Sequence, residues 1–335
     1  MPQIEIETLF NKLDTSVKLI QSELDVSYLE ALLETGENIL DGRVARQVDG
    51  LPTQTVIEKL TNLYQTLPID SMEPEEIRKA FQLALLKGAK TDNLQANHQM
   101  TPDAIGFIMS YLIEKMIGDT TKSIRLLDPA VGTGNLLSTI SNSLKLKHVE
   151  LDAEGIDIDD LLLSLAAVLT WLQGQTIKLT HQDAIQDLLV DPVDVVVSDL
   201  PVGYYPVDER ASAFKTAAKT GHSYAHHLMI EQSLQYLKEG GVGVFLVPTQ
   251  LFETEEAPAL TKLIQDVSYL QGMLNLPKEL FKSENSRKSI LLVQKKGGTA
   301  KQAKQVLLAE IPDFKNPKAM VHFMNEVDTW KKENI

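Results

Sequence analysis

Apolar residues recur every three or four positions from Ile6 through Leu9, Phe10, Leu13, Val17 and Ile20, the spacing of one buried helix face. The same period predicts a second helix over 26–40, ended by Gly42, and a third running from a Thr53 cap to about Leu67. Pro74, followed by Glu75 and Glu76, has the chemistry of a helix's first turn. That fourth helix carries Ile77, Phe81, Leu85 and Leu86 and is expected to stop near Gly88. No strand pattern interrupts this stretch, so residues 1–95 are predicted to form an all-helical domain.

From Thr101 the texture changes. A helix led by Thr101-Pro102-Asp103 carries Ile105, Ile108, Met109 and Leu112. Strands are then expected at 124–128, 151–157, 176–180, 193–198 and 242–247, with helices at 135–145, 159–173 and 223–238. Such alternation argues an α/β domain over 96–315, with a mostly parallel sheet covered on both faces. Two late apolar segments, 270–276 and 289–293, have little helix between them and read as an antiparallel edge pair. Beyond them the pattern offers a weak strand near 305–308 and a short polar helix, taken as a tail over 316–335.

Bulk properties narrow the class. The chain of 335 residues is long enough for two domains. No apolar run approaches the ~20 residues of a membrane span, and the start, Met1-Pro2-Gln3-Ile4-Glu5, lacks the basic and apolar parts of an export signal. A cytoplasmic protein without membrane contact is expected. The absence of cysteine excludes disulfides, cysteine-ligated zinc and a thiol nucleophile. A net charge of −14 opposes free-standing binding to DNA or RNA, because phosphate contacts dominate such affinity. A polynucleotide substrate would call for a partner chain with a positive surface.

The chemistry concentrates where predicted strands end. The first ends at Asp128 and passes through Pro129-Ala130-Val131-Gly132-Thr133-Gly134 into Asn135 and Leu136, a strand, glycine turn and helix in succession. A pyrophosphate binder needs a third glycine so that helix and strand pack closely, and that position is Leu137. A nicotinamide dinucleotide is therefore disfavoured. S-adenosylmethionine carries no phosphate, and an acid before the glycines suits its ammonium group. Asp157 ends the second strand roughly 25 residues on, near the usual offset for an acid that bonds ribose hydroxyls. Asp183, after the third, suits an adenine amino group. Asp199, after the fourth, marks where a transferable group and its acceptor would meet. Each acid also has a plainer reading: Asp157 as a cap for the helix at 159, Asp183 as a turn cap. Four such acids at ordered strand ends favour a cofactor site.

At this point the chain resembles a known family. Asp128-Pro129-Ala130-Val131-Gly132-Thr133-Gly134 with the later Asp199-x-Pro segment resembles the class I S-adenosylmethionine-dependent methyltransferases. More narrowly it is similar to the N6-adenine DNA methyltransferases, the modification subunits of type I restriction systems and small stand-alone bacterial proteins of that group. Gln99-Met100-Thr101-Pro102, Leu237-Lys238-Glu239-Gly240-Gly241, Leu276-Pro277-Lys278-Glu279-Leu280-Phe281 and Lys288-Ser289-Ile290-Leu291-Leu292-Val293 carry the likeness across roughly residues 5–296. The resemblance implies a Rossmann-like, seven-stranded methyltransferase sheet with one late antiparallel strand, behind a helical domain. It also implies roles. Asp128, Gly132, Thr133 and Gly134 would hold the methionine end, with Thr101 at its carboxylate and Pro129, Ala130, Asn135 and Leu136 as further cofactor-binding positions. Asp157 would take the ribose and Ile158 would lie against the adenine, whose amino group Asp183 would bind, with Ala184 as a further cofactor-binding position. Asp199 would sit at both cofactor and acceptor.

The active segment departs from the family pattern of an Asn or Asp, two prolines and an aromatic. Here it reads Asp199-Leu200-Pro201-Val202. In that chemistry the polar side chain and the next carbonyl accept the hydrogens of an exocyclic amine, and the aromatic stacks on the flipped base. Leu200 still offers a carbonyl, whereas Val202 cannot stack. Tyr204 and Tyr205 are candidates to swing in. Adenine N6 of DNA or another nucleic acid is the expected acceptor, with protein glutamine a weaker option. The competing reading is a catalytically decayed cofactor-binding scaffold. Too little sequence follows residue 296 for a target-recognition domain. The helical domain either docks on the catalytic face or makes a homodimer. Among other polar residues, adjacent His226 and His227 face different ways on one helix, so a shared metal is not expected and packing is. His222, Ser223 and Tyr224 are placed near the mouth, while Lys215, Lys219, Arg287 and Lys288 read as solvated.

Overall fold

The computed structural model describes residues 2–95, 98–118 and 121–335; the expected boundary after residue 95 abuts residues outside them. In chain order the elements are α1 (Pro2–Gln21), α2 (Tyr28–Leu40), α3 (Gln54–Gln65), α4 (Pro74–Thr91), α5 (Asp103–Ile117), β1 (Ser123–Asp128), α6 (Asn135–Lys145), β2 (Glu150–Asp157), α7 (Asp160–Leu172), β3 (Ile177–His181) and β4 (Val193–Asp199). There follow α8 (Asp208–Ala211), α9 (Ala225–Tyr236), β5 (Leu237–Pro248), α10 (Ala257–Val267), β6 (Ser268–Asn275), β7 (Lys288–Lys295), β8 (Leu307–Glu310) and α11 (Pro317–Asn334). The sheet order is β3-β2-β1-β4-β5-β7-β6-β8. Chain contacts divide the molecule into two compact units, residues 1–101, 131–138 and 157–181, and residues 102–130, 139–156 and 182–335.

In the first unit Leu9, Leu13, Val17 and Ile20 of α1 are buried against Leu29 and Leu32 of α2, Leu60 and Tyr64 of α3, and Phe81 and Leu85 of α4. Helix α7 joins the same core through Leu165, Val168 and Leu169. Its hydrophobic face is nearly continuous, which is why its sequence alone reads only as a helix of the α/β repeat. Gly36 permits the close approach of α2 and α7, since a Cβ there would stand 2.2 Å from Val168 Cγ1. Gly88 does not end α4, which continues to Thr91; it lets α4 approach α2, where a Cβ would meet Leu29 Cδ2 at 2.4 Å. Thr53 occupies the N-cap of α3 without a side-chain cap bond, whereas Ser27 and Glu30 form a capping box on α2.

In the second unit β1 pairs parallel with β2 and β4, and β4 parallel with β5. β7 runs antiparallel to both β5 and β6. The late pair is antiparallel as expected, but it does not form the edge. β7 lies inside the sheet, and β8, the eighth strand, adds parallel to β6. Ile290, Leu291, Leu292 and Val293 are all fully buried, the unbroken apolar run of a strand covered on both faces. Helix α10 fills the gap before β6, with Leu260, Leu263 and Ile264 in the core beside Phe245 and Val247. The last helix is eighteen residues long rather than short. Its Phe323, Val327 and Trp330 are buried at helical spacing, and Tyr111 of α5 donates to Met324 O at 2.8 Å and Asp328 at 2.9 Å.

Candidate functional site

The expected site residues fall in both units, and each set has its own architecture. In the first unit Gly132 and Gly134 adopt φ of 52° and 76°, a left-handed backbone that favours glycine. Gly134 N–H closes the turn on Val131 O at 2.8 Å. Asp157 Oδ2 accepts the Gly132 N–H at 2.7 Å, and Oδ1 accepts the Asp159 N–H at 2.9 Å. Asp157 thus braces the glycine turn, and the capping of α7 falls to Asp159, which accepts the Leu162 N–H at 3.0 Å. A Cβ on Gly134 would stand 3.1 Å from Ala166 Cβ, so the glycine also keeps the turn against α7. Ile158 is 67% exposed, a large apolar side chain held out at a strand end.

Helix α4 reaches this turn through a buried charge. Arg78 is fully buried and donates to Asn135 Oδ1 at 2.6 Å while its other arms hold Glu75 at 2.7 and 2.8 Å. Asn135 in turn donates to Thr101 O at 2.9 Å. Thr133, Asn135, Leu136 and Thr101 are all buried. Sequence reasoning missed Arg78, although its spacing of three and seven from Phe81 and Leu85 puts it on the inner stripe of α4.

In the second unit Asp128 is buried at the end of β1, where Oδ1 accepts the Ala130 N–H at 3.1 Å and the Ser198 hydroxyl at 2.7 Å. Pro129 and Ala184 are buried too, and Ala130 is half-buried. Asp199, at the end of β4, forms an ion pair with Lys288 of β7. Lys288 is therefore not a solvated lysine. The strand order explains the pairing: Asp199 lies opposite Leu246 and Lys288 opposite Pro248, so β7 starts at the end where β4 and β5 finish. Nor is Arg287 solvated. It is buried and donates to Leu276 O at 2.9 Å and Glu310 at 2.7 Å.

After Asp199 the chain leaves the sheet. Leu200 is buried, its N–H on Leu246 O at 3.1 Å, and Val202 is 39% exposed. The two tyrosines part company. Tyr204 is 60% exposed and stacks on Tyr224, with ring centroids 4.8 Å apart and 19° between planes. Tyr205 is buried and turned away from that stack, its hydroxyl donating to Asp183 Oδ2 at 2.6 Å. Arg210 donates to the same oxygen at 2.9 Å, and Oδ1 accepts the Ile185 N–H at 3.0 Å. The segment is secured further by Tyr205 N–H on Ser223 O at 2.8 Å and Ala225 N–H on Gly203 O at 2.9 Å. Buried Glu231 of α9 accepts the N–H groups of Lys215 at 3.0 Å and Thr216 at 2.8 Å. Lys215 and Lys219 are exposed, and His222 pairs with Asp208 at 2.9 Å.

Beneath the stack lie His226 and His227, both buried, with ring centroids 4.8 Å apart. Burial, helped by its neighbour, pushes His226 down to about 3, and burial pushes His227 down to about 4. Both are neutral at pH 7 and belong to the packing of α9.

Residues 77–331 match the family model for the N-6 DNA methylases, and residues 7–89 match that for the YtxK N-terminal helical domain. The Bacillus subtilis (strain 168) protein YtxK, itself uncharacterized, is 43% identical over 333 residues and is covered over 99% of each chain. A crystal structure from Listeria monocytogenes, of a protein assigned to the class I S-adenosylmethionine-dependent methyltransferases, is 45% identical. It superposes with a TM-score of 0.90 over 98% of this chain and 99% of that one. The methyltransferase subunit of a Streptococcus thermophilus type I restriction-modification system shares the fold, with a TM-score of 0.70 at 13% identity, over 97% and 93% of the two chains. The chain belongs to the N-6 DNA methylase family.

Proposed function

We propose that this N-6 DNA methylase family member transfers a methyl group from S-adenosylmethionine to an amino nitrogen, adenine N6 of DNA or another nucleic acid. The observation that carries the reading is Asp199, held by Lys288 at the end of β4 in a segment whose exposed aromatic face is the Tyr204–Tyr224 stack. The donor set fits the cofactor. Asp128, Asp157 and Asp183 are hydrogen-bond acceptors, matched to an ammonium, ribose hydroxyls and an adenine amino group, with Ile158 and Ala184 as apolar neighbours. The Gly132 N–H, which a phosphate binder would use, is already taken by Asp157. Thr101, Pro129, Ala130, Gly132, Thr133, Gly134, Asn135 and Leu136 complete the assignment.

When bound, S-adenosylmethionine supplies an electrophilic methyl on a sulfonium. The residues of this chain do the rest by positioning. Asp199 and the Leu200 carbonyl accept the two hydrogens of the amine and aim its lone pair. Tyr204 covers the face of the ring that Val202 cannot. With the cofactor bound, the amine so held would take the methyl on its nitrogen, and the proton it sheds would pass to water. The net charge of −14 supports a partner chain that brings the nucleic acid to this cytoplasmic enzyme.

A second reading, a cofactor-binding scaffold, draws on Leu200 and Val202 in place of a proline and an aromatic, and on Lys288 engaging Asp199. Incubation of the pure protein with methyl-tritiated S-adenosylmethionine and total DNA, RNA and protein from a strain lacking it separates the two. Label in nucleic acid, absent with Asp199→Ala, is the result expected of the enzyme. Cofactor binding with no label in any polymer favours the scaffold.

A further inference from the structure

Asp183, in the second unit, accepts three hydrogen bonds. Oδ2 accepts from Tyr205 at 2.6 Å and Arg210 at 2.9 Å, which fills both of its lone-pair positions. Oδ1 accepts from the Ile185 N–H at 3.0 Å and keeps one acceptor position. The carboxylate side chain is 11% exposed, so its orientation is set by these three donors rather than by water. Tyr205 is a dependable donor: burial, and then Asp183 itself, raise its phenol above the ordinary value. The Arg210 side chain is 46% exposed and approaches from α8, a four-residue helix just beyond the acceptor segment.

We propose that Tyr205 and Arg210 are positioning residues that lock Asp183 so that its one remaining acceptor position reads the exocyclic amino group of the cofactor's adenine. The inference rests on the cofactor assignment above and adds what determines its base specificity. A carboxylate free to rotate would present acceptor positions in several directions and could turn away from a mismatched base. A locked one meets an N–H donor with a hydrogen bond and a carbonyl oxygen with repulsion. Because Tyr205 stands six positions after Asp199, the same bond ties the acceptor segment to the acid that reads the base. A simple loop staple, by contrast, would change stability without changing which base is preferred.

Calorimetric titration of the full chain with S-adenosylhomocysteine and with S-inosylhomocysteine, whose base carries an oxo group in place of the amino group, tests this. The wild type is expected to prefer the adenosyl ligand by about 100-fold, the scale of a buried carboxylate gaining or losing its donor. Tyr205→Phe should reduce that preference to about tenfold, chiefly by weaker adenosyl binding. Arg210→Gln, a change at an exposed side chain that folding tolerates, should reduce it in the same direction. An undiminished preference in both variants overturns the proposal and leaves the cofactor assignment standing. Equal binding of the two ligands by the wild type overturns it as well, with a cofactor site intact. A wild type that binds neither ligand overturns the proposal together with the assignment beneath it.

Discussion

The glycine turn at 131–135 and the acceptor segment at 199–205 both follow the end of a parallel strand, yet they are held in different ways. The turn takes its shape first from its own backbone, with Gly132 and Gly134 left-handed, and a single distant side chain, Asp157, 25 positions on, accepts the Gly132 N–H. The acceptor segment takes its shape from side chains far along the sequence: Lys288 on Asp199, 89 positions away, and Asp183 on Tyr205, 22 away. Where local backbone geometry sets a site, the residues match a recognisable pattern. Where distant side chains set it, the local sequence can drift, as Leu200 and Val202 have. A departure from a motif therefore reports a change of support as readily as a loss of chemistry.

The comparison can be broken first at Asp199. Replacement by Ala is expected to lower methyl transfer by at least about 100-fold while cofactor affinity, measured by calorimetry, falls far less. Equal loss of both would mean that the acceptor segment also builds the cofactor site. On the turn's side the largest effect should come from Arg78. Arg78→Met removes a buried donor to Asn135 and one of the two cations beside Glu75, and should lower the unfolding free energy by about 3 kcal/mol in urea denaturation. An effect below about 1 kcal/mol would show that the turn needs no support from α4.

Acid should find the second unit before the first. His226 and His227 are held neutral in the fold, far below the ordinary histidine value in an unfolded chain. Their contribution is complete above about pH 6.5 and is lost as pH falls from there toward the folded values. The slope should be about 1.4 kcal/mol per pH unit for each histidine, and His227→Phe should remove one share of it between pH 6.5 and 5. A flat wild-type profile over that range would show that both rings reach water. The smallest expected effect is at Lys288. Lys288→Met should slow transfer about tenfold, the scale of one mis-set hydrogen-bond acceptor, with cofactor affinity unchanged and Lys288→Arg restoring part of the rate. Faster transfer in Lys288→Met would instead show that the lysine competes with the acceptor for Asp199.

Much of this molecule is determined by local sequence. Helical spacing from Ile6 to Ile20 suffices for α1, because burial of one face every 3.6 residues is a property of the helix itself. The alternation of strands and helices after residue 123, the glycine turn and the acids at strand ends follow for the same reason: each is set by neighbours in the chain. The tertiary structure decided what lies beyond that reach. It put β7 inside the sheet and β8 at its edge, drew α7 into the helical core, and carried α4 past Gly88. It paired Asp199 with Lys288 and Asp183 with Tyr205 and Arg210, and sent the two adjacent tyrosines to different places. Those outcomes depend on which surfaces meet, and residues 20 to 90 positions apart meet only once the sheet order and helix packing have formed. A side chain's type can announce that it will need a partner, but only the packed fold determines which one it finds.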